Sequence, residues 1–203
     1  MRAAAWLLAG LVTTLGTGVV AHAASIKERT SYFAVRGSTL EELDADLQRA
    51  GPLVAATGAR HPGATEVRFD GSVSYRETSS TCRVGKTDLR LDLNMMLPRW
   101  KAPRRVDAET RLVWKTLEDD IRRHEKQHSA IAKTWLKKME SAIRNLRPER
   151  DCSAMEARVN QVTKRYLAAH ERAQLEFDAK EGREVNRRLQ RALVRNLEAM
   201  AAR

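Results

Sequence analysis

The sequence predicts an α+β fold: a small antiparallel sheet with one helix, followed by a long antiparallel helical hairpin. Three observations lead there. Between residues 30 and 97, apolar and polar positions alternate in runs broken by Gly and Pro, the period of half-buried strands. From about residue 106, apolar positions recur every three or four residues, the period of helices. Charged residues make up 31% of the 203 and aromatics only 5%, a balance that suits charged helices better than a β-sandwich.

The first 23 residues, MRAAAWLLAGLVTTLGTGVVAHA, follow another rule. One positive charge, Arg2, precedes an apolar run to Val20, and Ala21-His22-Ala23 closes it as an A-x-A pattern. That three-part layout is a secretory signal peptide cut after Ala23. Gly10, Gly16 and Gly18 make the run weak as a permanent span. No later apolar run is long enough to cross a bilayer, so the mature chain is expected to carry no transmembrane segment. It is expected to be secreted or to reside in a bacterial periplasm. Cys82 and Cys152 both belong to the mature part, and an even count in an oxidising compartment argues for one disulfide. In the chain-entropy model such a bridge stabilises the fold by about 4 kcal/mol.

Taken in order, YFAVRG (32–37) reads as a short strand ending in Gly. Ser38 with Glu41 reads as a capping box for a helix whose face carries Leu40, Leu43 and Leu47, and Gly51-Pro52 stops it. Val67, Phe69, Val73 and Tyr75 mark one face of a strand. Leu89, Leu91, Leu93 and Met95 mark the next, with Arg90, Asp92 and Asn94 pointing outward. Pro98 and Pro103 flank LPRWKAP, which reads as a linker. A helix follows to about residue 146 and stops before Arg147-Pro148. Ser153 and Glu156 read as a second capping box, opening a helix that reaches at least Lys180. Gly182 is expected to interrupt it, with a basic amphipathic helix closing the chain.

The stretch RRHEKQHSA, residues 122–130, carries the chemistry. In H-E-x-x-H on a helix, the i, i+4 spacing stacks both imidazoles on one face. Two nitrogens, from His124 and His128, can then reach one Zn²⁺ at about 2.0–2.1 Å. Glu125 sits about 100° round the helix, where it does not ligate but accepts a proton from a metal-bound water. Trp114, Leu117, Ile121, Ile131, Trp135, Met139, Ala142 and Leu146 form an apolar stripe, and the histidines fall in register in its gap. They are therefore expected to face the core. Neutral imidazoles in an apolar seam need partners: a metal is one answer, and a hydrogen-bonded histidine pair is the other.

A catalytic zinc takes three protein ligands plus water. The short connection 147–152 makes the two helices antiparallel neighbours, which brings His124 and His128 level with residues near 176 and 172. His170, Gln174, Asp178 and Glu181 share a face there with Ala173 and Phe177. Periodicity does not choose among them.

The order of features (a secretory signal, a strand-rich half with one Cys, an LPRW segment and an HExxH helix) resembles a bacterial family of unknown function described as predicted secreted zinc-dependent proteases. The resemblance covers most of residues 30–183. Members of that family carry a YDxxTxHG-like segment after the HExxH helix, and its His is implied as a further ligand. The matching stretch here runs from Phe177 to Glu184, with Asp178 kept and Arg183 in place of the His. With that His replaced and Asp178 kept, Asp178 is the expected third ligand, with His170 and Glu181 behind it. The expected organisation is a signal peptide over 1–23, a zincin-like metal-binding domain over 24–183 (sheet-rich 30–97, helical 104–183) and a basic C-terminal helical extension over 184–203.

Formal net charge is +11, from 37 Lys and Arg against 26 Asp and Glu. The basic residues spread along helices without interleaved aromatics, so no nucleic-acid partner is expected. An anionic envelope surface suits the charge. Arg187, Arg188, Arg191 and Arg195 read as a solvated face, and contact with anionic lipid is the other reading of that helix. The leading expectation is a secreted zinc-dependent peptidase or hydrolase of peptide or protein substrates, with Glu125 as base. The alternative is a non-catalytic envelope binding or scaffold protein with a structural or vestigial metal site. Tyr75 and Tyr166 are possible oxyanion donors but read more simply as core residues.

Overall fold

The computed structural model describes residues 24–55 and 57–202; the expected signal peptide lies outside the described residues. The elements are β1 (Ser25–Val35), α1 (Leu40–Ala50), β2 (Leu53–Val54), β3 (Ala59–Arg60), β4 (Ala64–Glu77), β5 (Cys82–Trp100), α2 (Ala108–Arg144) and α3 (Cys152–Ala201). The class is α+β, a small sheet followed by a long helical pair.

The main sheet has strand order β1-β5-β4, and β2 pairs with β3 in a separate small ribbon. The sheet is mixed rather than antiparallel throughout: β4 and β5 form an antiparallel hairpin, while β1 runs parallel to β5. The reason is which strand takes the centre. Leu89, Leu91, Leu93, Met95 and Leu97 give β5 the most completely buried face, so it sits between the other two. β1 joins the other edge of β5 with α1, β2, β3 and β4 intervening in the chain, a separation long enough to permit parallel pairing, which a tight hairpin does not. The opposite face is polar and self-neutralising, with Asp92 between Lys27 and Arg68 on the neighbouring strands and Arg90 opposite Asp70.

Several boundaries differ from expectation for local reasons. LPRWKAP is no linker: β5 runs through Pro98 to Trp100. Pairing with β4 ends at Met96, so beyond it the strand has one open side, where a missing N–H is tolerated. The α1 cap shifts by one residue. Thr39 accepts from the Glu42 N–H at 3.3 Å, and Glu42 accepts from the Ser38 N–H at 2.6 Å. Asp151, not Ser153, caps α3, accepting from the Ala154 N–H at 2.7 Å. Asp107 caps α2 in the same manner at Thr110. Gly182 does not interrupt α3, which is continuous to Ala201. A helical Gly costs only about 1 kcal/mol relative to Ala, and Glu181 and Arg188 on either side of it both pair with residues of α2.

The core lies where α2 crosses the sheet. Leu89, Leu91 and Leu93 of β5 meet Ala132, Leu136, Met139 and Ile143 of α2 and Met155, Val159 and Val162 of α3. A second cluster joins Val35, Leu43, Leu47 and Trp114, and a third joins Met95, Leu97 and Ile121. Cys82 and Cys152 are disulfide-bonded across a separation of 70 residues, tying the start of β5 to the start of α3. The backbone of Cys82 also exchanges hydrogen bonds with Glu149 at 2.8 and 2.9 Å. Among the described residues, no helix is long and apolar enough to cross a membrane.

Candidate metal centre

The deepest line of α2 passes through Glu125 and Ser129, not through the histidines. Glu125 is 4% exposed and lies in the row that faces the sheet, with Ile121 and Ala132. His124 and His128 are one step round the helix, partly buried against α3, with side chains 27% and 15% exposed. The expectation that the histidines face inward thus holds toward α3, while the sheet-facing position belongs to the glutamate.

The two imidazoles meet Asp178 of α3. His128 Nε2 lies 3.0 Å from His124 Nε2 and 3.0 Å from Asp178 Oδ1, and His124 Nε2 lies 3.3 Å from the same oxygen. The ring of Phe177 packs against both imidazoles at 4.9 and 5.0 Å, shielding one side. A tetrahedral zinc with bonds of about 2.0–2.1 Å has ligand–ligand edges of about 3.3–3.4 Å, close to the three separations here. The donor set fits too: two nitrogens and a carboxylate oxygen are common zinc ligands.

The outer nitrogens explain why Nε2 is the inward atom. Gln174 of α3 donates from Nε2 to the His128 carbonyl at 3.2 Å and lies 2.8 Å from His170 Nε2, which fixes its amide orientation. Its Oε1 then accepts from His128 Nδ1 at 2.7 Å. With its proton on Nδ1, His128 turns a bare lone pair toward His124 and Asp178. That juxtaposition of electron pairs is the chemistry of a cation site, and outer partners of this kind orient ligating histidines. His124 Nδ1 faces the Glu181 carboxylate at 3.7 Å.

Charge states follow from burial and neighbours. Burial, and then the neighbouring His128 imidazole, push His124 below the usual histidine range, partly offset by Asp178 and Glu181. Burial does the same to His170, whose ring meets Phe69 edge-on at 4.9 Å. Burial raises Glu125 above the usual carboxylate range, and a hydrogen bond from Thr65 opposes it. Thr65 Oγ1 lies 2.8 Å from Glu125 Oε2 and 3.1 Å from the Glu125 carbonyl. Gly63 leaves room for this carboxylate: a Cβ there would stand 2.8 Å from Ile121 Cγ2 and 3.0 Å from Glu125 Oε1. Burial alone would raise Glu181 also, but Arg123 and Arg188 beside it bring it below its usual value.

The arrangement therefore brings together His124, His128 and Asp178, with Glu125 on the adjacent face. His170 and Glu181 take outer positions, one beside Gln174 and the other between arginines. Arg183 is exposed. Tyr75 and Tyr166 pack against the first core cluster, Tyr166 with its ring against Trp135 at 6.0 Å. Thr65 and Gly63 have no sequence signature, because their roles depend on which strand stands opposite; Arg188, read from the sequence as part of a solvated face, is instead half-buried and paired with Asp120 and Glu181 across the helix pair.

A family model for a bacterial protein of unknown function (DUF922) matches residues 30–186, and the chain belongs to that family. No curated protein and no solved structure matches it.

Proposed function

We propose that the protein is a zinc-dependent hydrolase of peptide or protein substrates, with His124, His128 and Asp178 as metal ligands and Glu125 as general base. The observation that carries this reading is the triangle of His124 Nε2, His128 Nε2 and Asp178 Oδ1, with edges of 3.0, 3.0 and 3.3 Å, set beside a buried glutamate. These three residues would hold the zinc ion, which would supply Lewis-acid polarisation of a carbonyl and acidification of water. Glu125 supplies the proton acceptor. Burial raises its proton affinity toward the range where a base works near neutral pH. Thr65 restrains Oε2, so the carboxylate is held in one orientation before substrate arrives. Gln174 keeps the His128 proton on Nδ1 and its Nε2 available. Phe177 covers one side of the imidazole pair and keeps that side dry.

The disulfide between Cys82 and Cys152 supports a secreted or periplasmic location, reached by removal of residues 1–23. The metal-binding unit then spans 24–183, and the basic surface suits an anionic envelope. A second reading, a non-catalytic envelope binding or scaffold protein with a structural or vestigial metal site, draws on one feature. Arg183, exposed on α3, stands where the resembling segment has its His.

The deciding experiment pairs metal content with peptide hydrolysis for wild type, His124→Ala, Asp178→Ala and Glu125→Gln. The hydrolase reading expects close to one zinc per chain in wild type, loss of metal in the first two variants, and retained metal without hydrolysis in Glu125→Gln. Full activity in Glu125→Gln would remove the assigned base. Zinc that does not exchange, in a protein that cleaves no peptide, would favour the scaffold reading.

A further inference from the structure

We infer that the end of α3, beyond the residues matched by the family, is a working part of the centre, and that Arg188 is a positioning residue for His124. This rests on the metal-centre reading above. The family match ends at residue 186, whereas the helix continues to Ala201. Arg188 lies just past that limit and reaches back to α2. Its Nε stands 2.6 Å from Asp120 Oδ1 and its Nη2 3.0 Å from Asp120 Oδ2, a two-pronged grip. The same Nη2 lies 3.0 Å from Glu181 Oε2. Arg123 closes the ring from α2, pairing with Asp120 at 3.1 Å and with Glu181. Two guanidiniums and two carboxylates thus neutralise one another, with Asp120 and Glu181 only 13% and 12% exposed.

The oxygen held by both arginines, Glu181 Oε2, is the one that faces His124 Nδ1 at 3.7 Å. At 3.7 Å this carboxylate acts on the imidazole through its charge rather than a hydrogen bond, favouring the proton on Nδ1 and so leaving Nε2 free toward the centre. Arg123 alone is a poor holder, since its side chain is 40% exposed against 23% for Arg188. The fork clamps Asp120, which fixes the Arg188 guanidinium so that its Nη2 stands at Glu181 Oε2, a placement a lone flexible point charge does not hold. Continuity through Gly182 is what makes this available: Glu181 and Arg188 lie seven apart, two turns along one face of an unbroken helix. Farther along, Asn196 Nδ2 donates to Thr116 Oγ1 at 2.8 Å, tying the same segment to α2 without touching the centre.

Asn196 therefore provides the control for a purely structural role. The test measures Zn²⁺ affinity of the purified protein by competition with a chelator, for wild type, Arg188→Ala, Arg188→Lys and Asn196→Ala. Ring ¹⁵N resonances of His124 are recorded in the metal-free forms. Arg188→Ala is expected to weaken Zn²⁺ binding about tenfold or more, with Asn196→Ala within about twofold of wild type. Arg188→Lys recovers only part, because an ammonium does not reproduce the fork. In metal-free protein the His124 resonances move in Arg188→Ala and stay in place in Asn196→Ala. Equal affinity losses in the two alanine variants, or none in either, would overturn the proposal and leave the segment as scaffold. A wild type that takes up no zinc would overturn the metal reading instead, and the resonance comparison would still decide whether Arg188 positions His124.

Discussion

Near its turn, the α2–α3 pair is joined by Met139, Ile143, Met155 and Val159, all buried and apolar, and stapled to the sheet by Cys82–Cys152. Farther along the same helices it is joined by Gln174, Asp178, Glu181, Arg188 and Asn196, each reaching α2 through polar atoms. The difference separates two jobs. Apolar burial is non-directional and supplies stability roughly in proportion to area. Hydrogen bonds and ion pairs contribute little net stability but fix where individual atoms stand. Near the turn the protein holds itself together; farther along it places three donor atoms within reach of one ion.

That contrast can be broken from either side. The largest expected effect on stability comes from Leu136→Ala, at a fully buried position in the first cluster. It should cost about 2–5 kcal/mol in urea unfolding, with zinc affinity of the folded protein unchanged. Gln174→Ala should do the reverse. Zinc affinity falls about 10–100-fold through loss of the His128 partner, while unfolding free energy changes by about 1 kcal/mol or less. A Gln174→Ala variant that unfolds easily yet binds zinc normally would erase the division.

Smaller effects sharpen it. Glu125 is buried with its proton affinity raised, so the metal-free folded state disfavours its charged form. Its penalty is absent below the unfolded carboxylate range and grows as pH rises through the folded value. Glu125→Gln should therefore raise the melting temperature of metal-free protein at pH 7 and leave it unchanged at pH 4. The weakest effect has the opposite slope. Burial lowers His124 and His170, so their contribution is complete above about pH 6.5 and is lost as pH falls below it. Replacing His170 with Gln should flatten the fall in melting temperature of metal-free protein between pH 7 and pH 5. An unchanged slope would mean that His170 is not buried as a neutral group.

Much of this was legible in the residues because it depends on local period. Alternation at Val67, Phe69, Val73 and Tyr75 and at Leu89 to Met95 marks two strands whatever they pair with. The spacing of His124 and His128 puts them on one helix face by geometry alone. Helix boundaries were less legible where capping residues compete. Thr39 and Ser38 are both able to cap, as are Asp151 and Ser153, and the choice rests on tenths of a kcal/mol. The stripe through Trp114 and Ile121 did not reveal that Glu125 is the deeper residue, because one step round a helix is only about 100° and both sides of α2 are covered.

The sequence by itself determined the class, the helical pair, the pairing of its two cysteines and the i, i+4 histidines with their glutamate, since each follows from short-range spacing or from count. Only the tertiary structure decided that β1 lies parallel to β5, that α3 runs unbroken past Gly182, and that Asp178 rather than His170 or Glu181 stands beside both imidazole Nε2 atoms. Those outcomes turn on register between elements distant in sequence. Register is set by how Met155, Val159 and Val162 seat against α2 and the sheet, a packing solution that no single segment contains.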